Sequence, residues 1–460
     1  MSKLIFITGA SGYIGRLLLS KILQEEPGWK YRVLARYPEE YSPPAQQDNT
    51  VEVVAGDLLR PETYAQALAG VDTVVHLAAV TGAKSRDDYF RVNQYGTARL
   101  VQCCRDAGVQ RILHISTIAV KYPDISGYPY AQSKAAAEEI IKTGGIPFSI
   151  VRPTIVWGLG SPTYAKLNQL ARPPALITFG RATAQIQPIF EADLVAFLIL
   201  ILRQQIFANE TYDLGGPERL SFEAFLRQIY IGKTGTEPRF IIRVPVNLIY
   251  SGLSKIEQRG GDRLPVKSGQ LSAFMFDSIA QENPLFASQK ANMLDVRQMI
   301  MTTHSAAVNR NACTQLTREA RLFGRYLVGQ SPDEYIQDKY VQASTAISCL
   351  TTPLDGFDRF CLRVASMGTL GLPLADTYCT YFYKNATLRK KLVVMTAILE
   401  NAGPTFRCFQ SQRKRSFLAV MFSLGIIGLA AGFSLLLAGL SLGPLHLAAS
   451  LLRKTKGGKT

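Results

Sequence analysis

Apolar and polar residues alternate in two different rhythms along the first 155 residues of the chain. Short apolar runs that end in a glycine or a polar residue predict six buried strands: "KLIFIT", "YRVLAR", "VEVVAGD", "VDTVVHLAA", "RILHIST" and "FSIVRPTIVWG". The segments between them have the apolar spacing of helices, as in "YIGRLLLSKILQEE", "PETYAQALAG" and "TARLVQCCRDAG". Apolar strands that alternate with helices are typical of a parallel sheet covered on both faces. We therefore predict a doubly wound α/β core over residues 1–155.

The pattern changes twice after this core. Residues 156–255 indicate a smaller mixed region that completes a substrate pocket, with a helix capped by Ser221. The polar, glycine-containing stretch "KIEQRGGDRLPVKSGQ" predicts a domain boundary near residue 255. Residues 256–412 are predicted to be mainly helical and contain no catalytic motif that we recognise. Residues 413–460 form a separate apolar segment with basic flanks.

The C-terminal segment has the length and composition of a membrane anchor. Residues 416–452 contain no charged residue, although "RKR" precedes them and "RKTKGGK" follows. About 20 apolar residues suffice to cross a bilayer as a helix. This run is longer, so we expect either one span with an interfacial remainder or a hairpin broken at "GPLH". Basic residues at both flanks favour the hairpin, with both ends on the cytoplasmic side of the membrane. A very apolar pair of soluble helices is the alternative.

Charge and cysteine content exclude several classes of protein. The formal net charge is +16, and residues 381–460 contribute twelve Lys or Arg against the single acid Glu400. The first half is nearly balanced, which argues against a nucleic-acid surface, and the basic tail suits anionic lipid headgroups. The seven cysteines include no CxxC pair, so we predict neither a disulfide framework nor a metal site.

Three glycines stand between the first predicted strand and the first predicted helix. They have the spacing GxxGxxG in "TGASGYIG". Glycine lets the chain turn sharply and lets a pyrophosphate approach the backbone, and the helix N-terminus offers free N–H groups. In an alternating fold this spacing predicts a Rossmann-type dinucleotide cradle. The residues that we expect to contact the cofactor here are Gly9, Ser11, Gly12, Tyr13, Ile14 and Gly15.

Further positions fit the same cofactor. Asp57 and Leu58 end the third strand, where the Asp57 carboxylate can bond an adenine edge, and Ala78 ends the fourth strand beside the nicotinamide path. The second strand ends at Arg36 instead of the acid that binds a free ribose 2′-hydroxyl, and Arg16 follows the last glycine. Two cations without an acid favour NADP. NAD is the alternative, with Arg36 stacked on adenine in either case.

Candidate catalytic groups follow the fifth strand. "YAQSK" places Tyr130 and Lys134 on one face of a predicted helix. A lysine ammonium there lowers the pKa of the phenol, which makes Tyr130 a general acid or base near neutral pH, and Lys134 can also hold a cofactor ribose. Ser116 and Thr117 can bind a substrate oxygen, or both can merely satisfy strand-end backbone groups. We interpret His76, at the end of the fourth strand, as having no chemical role.

Together these pieces resemble the extended short-chain dehydrogenase/reductase family, in particular its NAD-dependent epimerase/dehydratase group. The resemblance covers about residues 3–230 and rests on eight pieces in order: "TGASGYIG", "GDL", "VVHLAA", "VNQYGTARL", "ISTIAV", "YAQSK", "RPTIVWG" and "FEADLVAFL". By position it implies that Thr117, Tyr130 and Lys134 are catalytic. It also implies that Asn93 supports the active site, and that Arg152 and Pro153 help to place the substrate and the nicotinamide.

One departure from the family pattern affects the expected activity. Thr117 and Tyr130 are only 13 positions apart, which is closer than in most sugar-nucleotide members. With "YDLGGPE", this also resembles an atypical branch that includes a respiratory complex I accessory subunit, in which catalysis is often lost. The resemblance implies a membrane-anchored NAD(P)-dependent oxidoreductase or epimerase/dehydratase. Its small-molecule substrate would be a secondary alcohol or ketone of a nucleotide sugar or a lipid-like compound. A non-catalytic nucleotide-binding scaffold or assembly protein at a membrane is the alternative, and a homo-oligomer is left open.

Overall fold

The computed structural model describes residues 3–41, 50–82, 84–179, 184–245, 271–272, 274–346, 354–365 and 386–401. The chain divides into two compact units, Met1–Ala306 and Ala307–Thr460. The first unit carries the sheet and the predicted site, and the described part of the second unit is helical.

A seven-stranded parallel sheet forms the centre of the first unit. Its strands are β1 (Leu4–Thr8), β2 (Lys30–Ala35), β3 (Val51–Ala55), β4 (Thr73–His76), β5 (Arg111–Ile115), β6 (Phe148–Pro153) and β11 (Glu210–Leu214). They lie in the order β11-β6-β5-β4-β1-β2-β3. Ile7 of β1 pairs with Val33 on one side and Val75 on the other. The strand order reverses between β1 and β4, and the crevice at the carboxyl ends of such strands is where doubly wound sheets bind ligands.

Helices cover both faces of this sheet, as predicted. The helices of this part of the chain are α1 (Tyr13–Glu25), α2 (Arg86–Tyr89), α3 (Thr97–Asp106), α4 (Pro129–Thr143), α5 (Pro162–Leu170), α6 (Glu191–Gln204), α7 (Phe222–Thr234) and α8 (Pro284–Lys290). Of these, α5 and α7 pack on the short strands of the smaller region described below. Leu18 of α1 and Leu198 of α6 belong to one apolar cluster with β-strand residues. Leu100 of α3 and Ile141 of α4 belong to a second cluster. Burial of apolar surface on both faces is therefore what fixes this sheet.

Short strand pairs build the smaller region after the core. Its strands are β7 (Val156–Trp157), β8 (Ala175–Phe179), β9 (Gln185–Ile186), β10 (Ile189–Phe190), β12 (Leu220–Ser221) and β13 (Phe240–Val244). They pair as β10 with β7, β12 with β9 and β13 with β8. The Ser221 hydroxyl accepts a hydrogen bond from the Ala224 N–H at 3.1 Å, so the predicted cap of α7 is confirmed.

Two predicted elements differ in the structure. The segment "PETYAQALAG" forms two 3₁₀ turns, Pro61–Thr63 and Ala65–Leu68, and not one helix. It is too short to be stable as a helix by itself, and the buried side chains of Tyr64 and Leu68 fix its path against the core. The predicted sixth strand ends at Pro153, because proline has no N–H to continue the ladder. The residues after it leave the sheet as β7.

The first unit extends well beyond the smaller region. The predicted boundary near residue 255 lies outside the described residues. From residue 271 the chain packs on this unit again, since Ser278 bridges to Ile186 and the Asn283 side chain donates to the Asp213 carbonyl at 3.0 Å. The segment is therefore part of the framework around the carboxyl end of β11.

The described part of the second unit has its own apolar core. It is built by α9 (Val296–Val328) from Ala307 onward, with α10 (Glu334–Ala346), α11 (Gly356–Ala365) and α12 (Ala386–Asn401). Phe323, Tyr340 and Met395 are fully buried together. Among the described residues, no helix combines the length and apolar character that a membrane span needs. The uncharged run 416–452 lies outside them.

A buried ion pair joins two of these helices, and it provides a test of their packing. The Lys391 ammonium of α12 is fully buried and lies 2.6 Å from a Glu319 carboxylate oxygen of α9. We expect Lys391→Met to lower the free energy of unfolding of this unit by about 3 kcal/mol, because Glu319 is left buried without its cation. Chemical denaturation measures the loss.

The neighbouring Lys390 provides the matched control because its side chain is exposed. Lys390→Met should change the stability by less than about 0.5 kcal/mol. Equal stabilities of the two variants would show that the buried pair does not hold these helices together.

Candidate active site

The glycine loop lies between β1 and α1 and is shaped by two close approaches. Gly9 has a φ of +75°, and a Cβ there would lie 2.6 Å from the Ala78 nitrogen. A Cβ at Gly15 would collide with the Gly9 carbonyl oxygen. Gly12, in contrast, is exposed and precedes the first residue of α1, and the nearest atom to its Cβ would be 3.1 Å away. Gly9 and Gly15 thus serve the packing of the loop, and Gly12 leaves the helix N-terminus open to an anion.

The other predicted cofactor residues lie along the same edge of the sheet. Arg36 is exposed directly after β2. Asp57 follows β3, where one carboxylate oxygen accepts the Leu59 N–H at 2.9 Å, and Leu58 is buried. Ala78 follows β4 and donates its N–H to the Thr8 hydroxyl at 3.3 Å. Because the carboxyl ends of parallel strands share one edge, these residues and the glycine loop surround one crevice, which fits a dinucleotide.

Tyr130 and Lys134 both lie on α4, but their polar atoms have different surroundings. The Lys134 ammonium is buried, donates to the Ile115 carbonyl at 2.7 Å and lies 3.2 Å from His114 Nε2. The Tyr130 ring is half-buried among the rings of Tyr89 and Tyr128, whose centroids are 5.9 and 5.8 Å from its own. The lysine is therefore bound to the end of β5, and the tyrosine lies in an aromatic cluster.

These surroundings overturn the expectation that Lys134 lowers the pKa of Tyr130. Burial, with a smaller contribution from Tyr89, raises the pKa of Tyr130 to about 12. Burial also lowers the pKa of Lys134 to about 7, although the Glu138 carboxylate acts in the opposite direction. Lys134 lies one helical turn from Tyr130, but its ammonium makes its hydrogen bonds to β5. Burial therefore decides the pKa of the phenol. Near neutral pH the phenol therefore keeps its proton.

The structure distinguishes the two hydroxyls that follow β5. Ser116 is buried and donates to a Glu138 carboxylate oxygen at 2.5 Å. Thr117 is half-buried and begins the 3₁₀ turn Ile118–Lys121, where its hydroxyl accepts the Ala119 N–H at 3.3 Å. Its O–H is still able to donate, so Thr117 is the better candidate for contact with a substrate oxygen.

A network of charged side chains around the buried Glu138 and Asp213 carboxylates lies near these hydroxyls, and the sequence did not predict it. Arg152 Nε donates to Glu138 at 2.9 Å, and Arg152 Nη1 lies 3.7 Å from an Asp213 oxygen. Lys121 Nζ lies 2.6 Å from the other Asp213 oxygen. Arg152 thus pairs with carboxylates, while its expected role in placing the substrate stays a prediction, and Pro153 is buried at the end of β6. In the sequence, only the "RP" dipeptide at Arg152 and Pro153 pointed to a functional residue in this network.

Asn93 connects two parts of the candidate site. It is buried in the π-helical turn Phe90–Gly96, between α2 and α3. Its Oδ1 accepts the Val80 N–H at 2.7 Å, and its Nδ2 donates to the Ser133 hydroxyl at 2.9 Å. Ser133 in turn donates to the Tyr130 carbonyl at 2.8 Å. Asn93 therefore holds the loop after β4 against the first turn of α4, and no cofactor contact is needed to explain its burial.

Tyr13 connects the glycine loop to the region after β7. Its hydroxyl donates to the Glu191 carboxylate at the start of α6, and its ring packs on Gly160. Burial raises the pKa of Glu191 to about 7. This contact closes one side of the crevice.

A cleft of about 610 Å³ lies beside the turn that Thr117 begins. Ile118 and Lys121 line it from that turn, and the segment 277–282 lines it together with Arg219. Its walls contain apolar side chains together with charged side chains of both signs, which suits an amphiphilic ligand.

The family comparison agrees with this geometry. Residues 5–215 match the model of the NAD dependent epimerase/dehydratase family. These residues form an NAD dependent epimerase/dehydratase domain. The domain begins in β1 and ends just after β11, so it contains the sheet, the glycine loop and all three predicted catalytic residues. The predicted family resemblance is confirmed.

Relatives of the epimerase/dehydratase domain include enzymes named for lipids. Ceramide reductase of Caulobacter vibrioides is 32% identical over 202 residues, which are 44% of this chain and 62% of that protein. A 3 beta-hydroxysteroid dehydrogenase/Delta 5→4-isomerase of Mycobacterium tuberculosis is 25% identical over 330 residues, which are 62% of this chain and 88% of that protein. The chain thus spans less than two thirds of the length of the ceramide reductase.

A solved structure shows the same fold. A nucleoside-diphosphate-sugar epimerase from Staphylococcus aureus is similar with a TM-score of 0.51 and 20% identity, over 65% of this chain and 100% of that one. At this identity the likeness concerns the fold of the epimerase/dehydratase domain and its smaller region alone.

Proposed function

We propose that this chain is an NAD(P)H-dependent reductase that converts a ketone of a lipid-like molecule into a secondary alcohol. The observation that carries the proposal is the grouping of three side chains at the end of β5: Thr117 begins the turn after this strand, and Tyr130 lies one turn before Lys134, whose ammonium donates to the Ile115 carbonyl. A phenol that keeps its proton near neutral pH can act as a general acid towards a carbonyl oxygen. Donation of a proton to that oxygen is the direction of reduction.

Three side chains share the proposed proton transfer. Thr117 donates a hydrogen bond to the carbonyl oxygen of the substrate and orients it. Tyr130 Oη gives its proton to that oxygen, and Lys134, one helical turn away, would hold the cofactor ribose so that the carbonyl lies within reach of the phenol. The glycine loop would hold the reduced cofactor, which would supply the hydride for the carbonyl carbon. Solvent then returns a proton to Tyr130.

A lipid-like substrate is supported by the relatives and by the cleft. Ceramide and a steroid appear in the names of the two relatives. The cleft beside Thr117 has both apolar and charged walls, from Ile118 and Ile279 on the one hand and Lys121 and Arg219 on the other. An epimerase or dehydratase of a nucleotide sugar is the alternative within the same family, and a non-catalytic scaffold is the alternative outside it.

Consumption of NADPH by the purified protein tests this proposal. We expect oxidation of NADPH with a 3-oxosteroid or an N-acylated long-chain 3-ketone, and none with UDP-glucose. With NADP⁺ or NAD⁺ in place of NADPH, turnover of UDP-glucose without net reduction of the cofactor would indicate the epimerase alternative. Tight binding of NADPH without turnover of any of these probes would favour the scaffold.

Arg36 provides the test for NADP rather than NAD. We expect Arg36→Glu to weaken NADP(H) by about 1.5–3 kcal/mol more than NAD(H), because it removes a hydrogen bond to the charged 2′-phosphate. Fluorescence titration with both cofactors measures the difference. Lys30→Glu is the control, since Lys30 is exposed at the opposite end of β2 and carries the same change of charge. Equal losses for the two cofactors in Arg36→Glu would contradict the choice of NADP.

We also propose that residues 416–452 attach the enzyme to the cytoplasmic side of a membrane, which brings it to a lipid substrate. Without residues 413–460, the protein should move from the membrane fraction to the soluble fraction and still bind NADPH, because the sheet folds upstream. Attachment of the full chain should survive a high-salt wash, since apolar insertion is not screened. Release by salt would mean that the basic residues alone hold the protein at the membrane.

The association of this chain into a homo-oligomer stays a prediction.

A further inference from the structure

His114 lies directly beneath the candidate catalytic lysine. It belongs to β5, is fully buried, and its Nε2 is 3.2 Å from the Lys134 ammonium. Its other ring nitrogen, Nδ1, is also buried and has no hydrogen-bond partner within the described part of the chain. A buried polar atom without a partner is costly. The placement of this histidine therefore needs an explanation beyond the filling of space.

The chemistry of the pair fixes the state of the imidazole. A lysine ammonium carries three donors and no acceptor, so His114 Nε2 must be the acceptor and its proton must reside on Nδ1. A protonated His114 would place two positive charges in contact. Burial, together with Lys134 and His76, lowers the pKa of His114 well below its usual range. The ring is consequently neutral at physiological pH.

We infer that His114 is a positioning residue for Lys134: it holds one N–H of the ammonium, the Ile115 carbonyl holds a second, and the third is left for the cofactor ribose or for Tyr130. This inference rests on the proposed function of Lys134. It assigns a role to a histidine that the family resemblance does not implicate.

The groups around the ammonium show why such an acceptor matters. His76 of β4 stacks on His114 with ring centroids 5.0 Å apart, and burial lowers its pKa to about 3, so it adds no charge. Glu138, one turn along α4, favours the charged lysine, but Arg152 already binds that carboxylate. Burial outweighs both effects on Lys134, whose pKa falls to about 7. Loss of the acceptor would lower it further, because the charged form loses a hydrogen bond.

Nitrogen NMR of the histidine rings tests the tautomer directly. The chain has only four histidines, and His114→Gln identifies the signal of His114 by its disappearance. We expect a neutral ring protonated on Nδ1 at about pH 5–6, where Lys134 carries its charge. A ring protonated on Nε2 cannot accept from Lys134 and would overturn the inference.

Two variants then test the effect on Lys134 through the pH dependence of NADPH affinity. His114→Leu removes the acceptor and should lower, by about one pH unit, the pH at which affinity falls on the alkaline side. His114→Gln retains an amide oxygen that can accept, so its midpoint should lie within a few tenths of a unit of the wild-type value. Identical midpoints for His114→Leu and the wild type would overturn the inference. If His114→Leu does not fold, the ring tautomer of the wild-type protein and the pH profile of His114→Gln still test the inference.

Failure of this inference can be told apart from failure of the proposed function. Neither the ring tautomer nor NADPH affinity requires turnover of a ketone. If the protein binds NADPH with the expected pH dependence but reduces no ketone, the role of His114 stands and the proposed reductase function is wrong. A reductase with an unshifted midpoint in His114→Leu would show the reverse.

Discussion

Replacement of Tyr130 by Phe is expected to lower turnover by about 10²–10⁴-fold, the usual contribution of a general acid. The ring and its packing on Tyr89 and Tyr128 are kept, so the fold and the affinity for NADPH should be unchanged. Only the proton that the carbonyl oxygen receives is lost. Steady-state kinetics with NADPH and the ketone that gives the highest rate measure the effect, and fluorescence titration measures the affinity.

Tyr128→Phe is the matched control for this prediction. Its ring belongs to the same aromatic cluster, with its centroid 5.8 Å from that of Tyr130. It should retain turnover within a few-fold, because its hydroxyl has no role in the proposed proton transfer. Similar losses in both variants would point to a structural effect of the cluster, and full activity of Tyr130→Phe would mean that another acid serves.

The second large effect is expected from Gly12→Val. Gly12 is exposed at the start of α1, so a valine there can fold but occupies the space of a pyrophosphate. We expect NADPH affinity to fall by at least about 100-fold, since two charge-assisted hydrogen bonds worth about 1.5–3 kcal/mol each would be lost. Thermal denaturation should show a folded protein.

Two other glycines serve as controls for Gly12→Val. Gly28→Val should leave affinity unchanged, because no atom lies within 4 Å of the position that its Cβ would take. Gly15→Ala should lower stability itself, because its Cβ would collide with the Gly9 carbonyl. Unchanged affinity in Gly12→Val would refute the cradle.

The sheet and the glycine loop were predictable because their signals are local. Each strand is a short apolar run, and the three glycines fall within seven residues at the first strand–helix junction. The prediction of one helix over "PETYAQALAG" was wrong for the same reason. Its local pattern is helical, and only the packing of Tyr64 and Leu68 against the core selects 3₁₀ turns. Local periodicity cannot include such tertiary contacts.

The electrostatics of the site were not predictable from spacing. The separation of Tyr130 and Lys134 correctly placed them on one helix face, but it could not show that the ammonium binds to His114 and Ile115 on β5. The pKa values follow from that burial. In the same way, the ion pairs of Arg152 with Glu138 and Asp213 join three elements that are distant in the sequence. Only the assembled fold brings them together.

The transfer of deuterium from the nicotinamide to product tests the central claim most directly. The purified protein is incubated with 4-deuterated NADPH of either face and a ketone probe, and the alcohol is analysed by mass spectrometry. The account predicts one deuterium on the carbinol carbon from one face only, at a rate that falls at least about 100-fold in Tyr130→Phe. NADPH that binds at the glycine loop but transfers deuterium to none of the probes would contradict it.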